Sequence, residues 1–451
     1  MTPSLEALPI ELVEMIVTLL DFQDIGCLRL TSRTVEDKAS QMYFTTFFRH
    51  KQVILHARRL DDLVRMTASS RLVCCLQHLT IIGPVGLDRA REYRANEHVR
   101  LLTLAFRNLK ANSPNGSLAS LSLRAAAVST CPDTVPWTEF WVVARRTFKV
   151  TMEALEESDL SVTEHLDLFG GATGYSLEYD AFVAFARRRP PINAFGNLKR
   201  LSFSLSALLA DSPVATSLCT LISLPWNSIG ETQSAHAVAV LGAVSRLTGI
   251  MPKLESLHLH WRNMGENGAP SVVQPTAVLN RTGFSAPLRL KECSLAGMYV
   301  PGVELLKFIK FTRPATLKMR GIHLISGTYA PLLKYLSRPG TPTTSYHLDD
   351  ICEKAYRFVH FNVPGVPKLQ YEGNTGIGIG PNTLSQQTND AKRKEITYRL
   401  GPEIFSHITY CGVLIDMIIE FGTPYPRSPA FPRRIGPHEI KNDVDIGYRY
   451  L

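Results

Sequence analysis

Apolar positions recur along the chain in one dominant phrase, L-x-x-L-x-L, with other apolar residues allowed at its three sites. Full cases are Leu76/Leu79/Ile81, Val99/Leu102/Leu104, Leu118/Leu121/Leu123, Leu198/Leu201/Phe203, Leu254/Leu257/Leu259, Leu290/Cys293/Leu295 and Tyr356/Val359/Phe361. Partial cases end in Leu166/Leu168 and Leu317/Met319. The last two sites alternate as strand residues do, so each phrase predicts a short strand with one face buried, introduced by a turn that buries one more side chain.

Several phrases follow an amphipathic helix and a breaker. "LEYDAFVAFARRRPP" precedes Leu198, "SAHAVAVLGAVSRLTGIMP" precedes Leu254, "GVELLKFIKFTRP" precedes Leu317, and "YAPLLKYLSRPG" comes before the Tyr356 phrase. Helix, glycine or proline, then strand is the unit of a leucine-rich-repeat-like solenoid whose strands stack in parallel. Successive phrases lie from about 20 to more than about 50 residues apart, against roughly 20–29 in regular repeats of this kind. The pattern predicts a degenerate solenoid with helical insertions over residues 51–363. An α/β domain holding the same strands in one ordinary sheet is the alternative.

The start of the chain has a different period. Pro9 suits a first helical turn. Leu12, Met15, Ile16, Leu19 and Leu20 follow at helical spacing, with Glu11 and Glu14 towards solvent. Asp21 can cap a second helix that carries Asp24 in its first turn, then Ile25 and Leu28. A third short helix starts near Thr34 and contributes Val35 and Ala39. A hairpin of this size cannot bury enough apolar surface to stand alone, so it must pack on the body or on a partner.

The string Leu8-Pro9-x-Glu11-Leu12, then Ile16, Leu19, Asp24, Ile25, Leu28 and Arg29, resembles the F-box, the motif that docks on the Skp-type adaptor of SCF ubiquitin ligases. The stretch "LHARRLDDLVRMTASSRLVCCLQHLTIIG" (55–83) resembles the segment after the F-box in fungal F-box proteins, a helix leading to a first buried strand. The tryptophan common in the third helix of that family is Val35 here, and Thr31-Ser32 stands just before. The resemblance implies an α+β or α/β chain with an N-terminal three-helix F-box at 1–50. It implies adaptor binding through Leu8, Pro9, Glu11, Leu12, Ile16, Leu19, Ile25 and Leu28. It further implies a cullin scaffold beyond the adaptor, and a non-catalytic receptor that captures a protein substrate for ubiquitination. A protein-interaction scaffold working without a ligase, with 8–35 folded back as a cap, is the competing reading.

Charge is unevenly placed. The chain carries a net +9, yet residues 1–50 hold 4 Lys+Arg against 7 Asp+Glu. The body is therefore basic and the first module acidic, which suggests different partners for each. If the strands stack, the residues between the core positions share one outward face: His78, Arg124, His165, Arg200, His258, His260, Lys318, Arg320 and His360. Arg124, Arg200, His258, His260, Lys318 and Arg320 are the candidate substrate-binding set, suited to an acidic or phosphorylated protein. A solvated sheet face with no ligand is the plainer expectation. Nucleic acid is not expected as a partner.

The 8 cysteines form no C-x-x-C pair and most sit in apolar stretches, so they read as reduced thiols. No apolar run reaches the roughly 20 residues that span a bilayer, and Glu6, Glu11 and Glu14 break up any signal-peptide pattern. These features predict a soluble protein of the cytoplasm or nucleus, with no membrane partner.

Nothing assembles into a catalytic motif. The run Gly376-Ile377-Gly378-Ile379-Gly380 lacks the G-x-G-x-x-G register and has Pro381 where the third glycine should fall. In "FGGATGYS" (169–176), Ser176 is not in G-x-S-x-G. His258-x-His260 supplies two imidazoles and no further ligand, so neither metal nor cofactor is expected. Arg187-Arg188-Arg189 sits at a helix C-terminus, where cations complement the macrodipole. Residues 364–395 read as a loop or linker containing the basic cluster Lys392-Arg393-Lys394. Residues 396–451 form a final segment with a helix over 410–421 and a proline-rich tail.

Overall fold

A computed structural model describes residues 4–39, 49–68, 76–86, 95–113, 115–127, 137–171, 175–188, 192–206, 226–262, 288–353, 357–363, 365, 380–387 and 396–401. The 410–421 helix, the proline-rich tail, Lys392-Arg393-Lys394, Tyr356 and most of the 376–380 glycine run lie outside the described residues.

The first module is α1 (Ile10–Leu19), α2 (Phe22–Leu30) and α3 (33–39). Pro9 is the N-cap of α1, and the Asp21 carboxylate accepts the Asp24 N–H at 2.8 Å to cap α2. The Ser32 hydroxyl accepts the N–H groups of Thr34 and Val35 at 3.2 and 3.4 Å, so this short polar residue starts α3. Val13, Val17, Ile25 and Ala39 make a separate small core, flanked by Leu8, Leu20 and Leu28.

The body is a mixed α/β array. Its strands are β1 (His50–Ile54), β2 (His78–Val85), β3 (Ser117–Ala127), β4 (Ser161–Leu168), β5 (Leu177–Glu178), β6 (Arg200–Ser206), β7 (Ser256–Arg262) and β8 (Glu292–Ala296). Next come β9 (Tyr299–Val300), β10 (Thr316–Arg320), β11 (His323–Leu324), β12 (Ser345–Asp349), β13 (Cys352–Glu353), β14 (Arg357–Phe361), β15 (Leu384–Gln387) and β16 (Tyr398–Leu400). The helices between them are α4 (Ala57–Ala68), α5 (Ala95–Asn112), α6 (Trp137–Ser158), α7 (Tyr179–Arg187), α8 (Ile192–Phe195), α9 (Trp226–Thr248), α10 (Gly302–Thr312) and α11 (Ala330–Ser337).

The large sheet runs β1-β2-β3-β4-β6-β7-β8-β10-β12-β15, with β5 also paired to β6. Strands therefore neighbour one another in chain order, and all pairs are parallel except β12 with β15. The register turns the sequence phrase into two continuous apolar ladders. One is Leu79, Leu121, Leu166, Leu201, Leu257, Cys293, Leu317 and Tyr346; the other is Ile81, Leu123, Leu168, Phe203, Leu259, Leu295, Met319 and Leu348. Every one of these side chains is buried. Each contributes about 1.5–3 kcal/mol relative to exposure, and a one-residue slip would turn a whole ladder outward.

The later strands show a tighter repeat. Glu292 pairs with Thr316 and Thr316 with Ser345, intervals of 24 and 29 residues. After each strand the chain turns a corner through a residue with positive φ, Gly297 (71°), Gly321 (58°) and Asp350 (50°). A buried apolar residue comes next (Met298, Ile322, Ile351), then a two-residue strand, β9, β11 or β13. At Gly297 a Cβ would fall 2.2 Å from the Trp261 carbonyl oxygen, so both the φ and the close approach demand glycine. The two-residue strands belong to a second sheet, ordered β16-β14-β13-β11-β9.

Four expectations change. Val99, Leu102 and Leu104 lie in α5, because an i, i+3 spacing fits a helix as well as a strand; Val99 and Leu102 join Leu101, Ala105, Phe106 and Leu109 on its buried face, and Leu104 is exposed. Val359 and Phe361 are in β14, which pairs antiparallel with β13 and β16 in the second sheet. The helix 330–337 leads to β12, a strand that lacks the full three-site phrase. The 364–395 stretch is not all loop: β15 pairs antiparallel with β12. Residues 398–400 likewise join β14, so the final segment starts inside the body.

Candidate docking and recognition surfaces

In the first module the same helix supplies a core and an exposed stripe. Val13 and Val17 point inward, while Leu12 is 44% exposed, Met15 60% and Leu19 82%. Residues 12, 15 and 19 lie on one helical face. Leu5, Ile10 and Leu30 add further exposed apolar surface, Leu30 at 88%. Isolated exposed apolar residues are ordinary, but a contiguous stripe on one helix marks an interaction surface.

The predicted adaptor-facing residues thus divide into two groups. Pro9, Glu11, Leu12 and Leu19 are exposed, and Leu8 and Ile16 are half-buried. Ile25 is fully buried with Val13, Val17 and Ala39, and Leu28 packs against that cluster. Ile25 therefore holds the module together and its side chain is closed to a partner. Met15 joins the exposed stripe although the family motif does not point to it; the i, i+3, i+7 spacing of Leu12, Met15 and Leu19 carries the signal. Lys38 donates hydrogen bonds to the carbonyls of Glu6 and Leu8, tying α3 to the start of the module.

The outward face of the large sheet is the second surface. His78, Arg124, His165, Arg200, His258, His260, Lys318 and Arg320 all belong to it, brought onto strands of that sheet by the parallel register. His360 does not. It is buried in the second sheet, its Nδ1 2.8 Å from the Gly380 carbonyl oxygen.

Short hydroxyls line the same rows and meet the imidazoles: His78 with Ser120 at 2.8 Å, His165 with Ser202 at 3.0 Å, His258 with Ser256 at 2.9 Å, and His347 with Ser385. Three carboxylates absent from the predicted set also sit here, each beside a cation. Arg124 pairs with Asp167 at 2.8 Å, Lys318 with Glu292 at 2.7 Å and Arg320 with Asp349 at 3.4 Å. Only the register reveals these cross-strand pairs, which is why the face reads as barer and more basic in sequence.

Burial lowers the histidines of this face. His78, His165 and His258 are held below the usual 6.5, and burial with Arg262 and Arg320 nearby takes His260 down to about 4. Gly170 and Gly171, just after β4, lie against one end of the face. The Gly170 N–H donates to Asp167 at 2.7 Å, and a Cβ on Gly171 would meet the Arg124 guanidinium at 2.6 Å. Gly170 and Gly171 let the backbone approach the Arg124–Asp167 pair closely, and Ser176 is buried.

No group of side chains among the described residues could hold a metal ion. Cys293 is buried and its thiol is pushed up to about 12, which leaves it inert as a nucleophile. No helix among the described residues is long and apolar enough to cross a membrane.

The exposed stripe, the capped hairpin and the small independent core coincide with a family match: residues 5–46 match the F-box domain. Residues 5–46 of the chain are thus an F-box domain. F-box domains bind Skp-type adaptors, typically in substrate receptors of SCF ubiquitin ligases, and such receptors are usually non-catalytic. No curated protein matches the chain.

Proposed function

We propose that the chain is the substrate-recognition subunit of an SCF-type cullin-RING ubiquitin ligase. Leu8, Pro9, Glu11, Leu12, Met15, Ile16 and Leu19 face the Skp-type adaptor, which joins the receptor to the cullin. The body is a degenerate leucine-rich-repeat-like solenoid, and its outward face presents a target protein. The receptor makes and breaks no bond itself. It raises the effective concentration of target near the ubiquitin-carrying enzyme. Work of this kind belongs in the cytoplasm or nucleus.

One observation carries the reading: the F-box match at 5–46 falls on the helix that leaves Leu12, Met15 and Leu19 uncovered. The sequential, mostly parallel sheet supports the solenoid, since solenoid units contact their chain neighbours. The test is co-purification of adaptor with the full chain, with residues 1–50 deleted, and with Leu12→Asp plus Ile16→Asp. Adaptor should follow the full chain alone. Equal recovery with all three, or with none, sinks the receptor reading and leaves a scaffold without a ligase.

A further inference from the structure

On the outward face of the large sheet, carboxylates and cations cancel in pairs except near the centre. Asp167, Glu292 and Asp349 are each engaged by Arg124, Lys318 and Arg320. At the same ends of the strands, Glu164 pairs with Lys199 and Glu255 with Lys291, at 2.7 and 2.8 Å. Arg200 is exposed and forms no ion pair among the described residues. It lies directly between His165 on β4 and Ser256 on β7, with His258 two residues further along β7.

We propose that Arg200, flanked by His165 and His258, anchors a carboxylate-rich peptide segment of the target, and that the two imidazoles take up protons as it binds. This rests on the receptor reading above. Charge complementarity chooses the occupant. The Arg200 guanidinium, with no ion-pair partner among the described residues, presents a forked donor to a carboxylate. The Ser202 and Ser256 hydroxyls beside it supply short polar partners and no competing charge.

The proton linkage arises from the charges around each ring. His165 sees Asp167, which favours its charged form, and Arg200, His258 and Arg124, which oppose it. His258 sees Glu292, which favours the charged form, and Lys318 and Arg200, which oppose it. Burial is the largest influence on both and keeps them neutral. An anion seated over Arg200 offsets the guanidinium's repulsion of both rings. Their affinity for protons is then higher in the complex than in the free protein, so binding tightens as pH falls.

The experiment uses the full chain prepared with its adaptor and a fluorescein-labelled glutamate-rich peptide, read by anisotropy. Affinity should rise at least about threefold between roughly pH 7.5 and pH 6, half a pKa unit of coupling. Arg200→Glu should weaken binding at least about tenfold at both pH values, while Lys110→Glu, whose partner Asp159 lies off this face, should not. His165→Gln with His258→Gln should keep the affinity found at high pH and abolish its rise on acidification. A pH-independent affinity, or an Arg200→Glu protein that binds normally, overturns the inference. So does a phosphoserine peptide of equal charge that binds where the glutamate peptide does not. Adaptor recovery is scored on the same samples. Adaptor without peptide binding rejects only this inference, whereas loss of adaptor from the unmodified chain rejects the receptor reading.

Discussion

Lys38 and Leu8 are joined across the first module: the ammonium donates to the Leu8 carbonyl at 2.7 Å and to that of Glu6 at the same distance. A cation near the C-terminal end of α3 thereby satisfies two carbonyls at the module's start. Lys38→Met should cost the module about 1 kcal/mol. Amide exchange should quicken across residues 10–39 and stay unchanged in β2 and β3. Adaptor affinity should fall several-fold with it, up to the factor of about ten that 1.4 kcal/mol represents.

In the proposed receptor, Leu19 serves docking and Ile25 serves folding. Leu19 is largely exposed, so Leu19→Asp should leave the unfolding midpoint unchanged and weaken adaptor binding at least about tenfold, as loss of an interface anchor does. Ile25 fills the small core. Ile25→Ala should cost about 2–4 kcal/mol through the cavity it opens and melt the module before the body. Calorimetry and adaptor titration on both variants check the contrast. Equal thermal destabilisation by both would show that Leu19 is also structural.

The strands of the large sheet are legible wherever the phrase has three apolar sites, as at Leu198, Leu201 and Phe203, because burial on one face imposes a period of two. Two-site cases are legible at Leu166/Leu168 and Leu317/Met319 but not at Tyr346/Leu348. Val99 and Leu102 mislead because a helix shares the first interval. The second sheet stays hidden for another reason. Its strands are mostly two residues long, and their signal is the left-handed corner at Gly297, Gly321 and Asp350, which apolar periodicity does not register. For the docking surface, apolar spacing reveals the helix but not its orientation: only packing shows that Ile25 faces in and Met15 out. The alternation rule places the outward face correctly for the strands of the large sheet and incorrectly for His360, whose strand belongs to the other sheet.

Glu353 fastens the final described strand to the body. Its buried carboxylate accepts the Tyr329 N–H at 2.6 Å and the Tyr398 hydroxyl at 3.2 Å. Glu353→Ala should cost about 2–3 kcal/mol, because the buried Tyr329 N–H loses its acceptor. Tyr398→Phe should cost only about 1 kcal/mol. Limited proteolysis should cut near residues 396–401 faster in both variants, and faster in Glu353→Ala. Identical cleavage of both variants and the unmodified chain would show that this clamp does not hold β16.

Acid should destabilise the body through its buried imidazoles. His98, His260 and His323 are each lowered from 6.5 to about 4, chiefly by burial. The unfolded chain therefore binds their protons first. Stability from keeping these rings neutral is fully present above pH 6.5 and is lost as pH falls from 6.5 towards about 4. His323, stacked on Tyr299 at 4.6 Å, owes its lowering to burial alone. His323→Phe keeps an aromatic ring in that stack and removes the proton site. Urea midpoints measured across this range should fall less steeply with acid for His323→Phe than for the unmodified chain. An unchanged slope would place the acid sensitivity elsewhere than at His323.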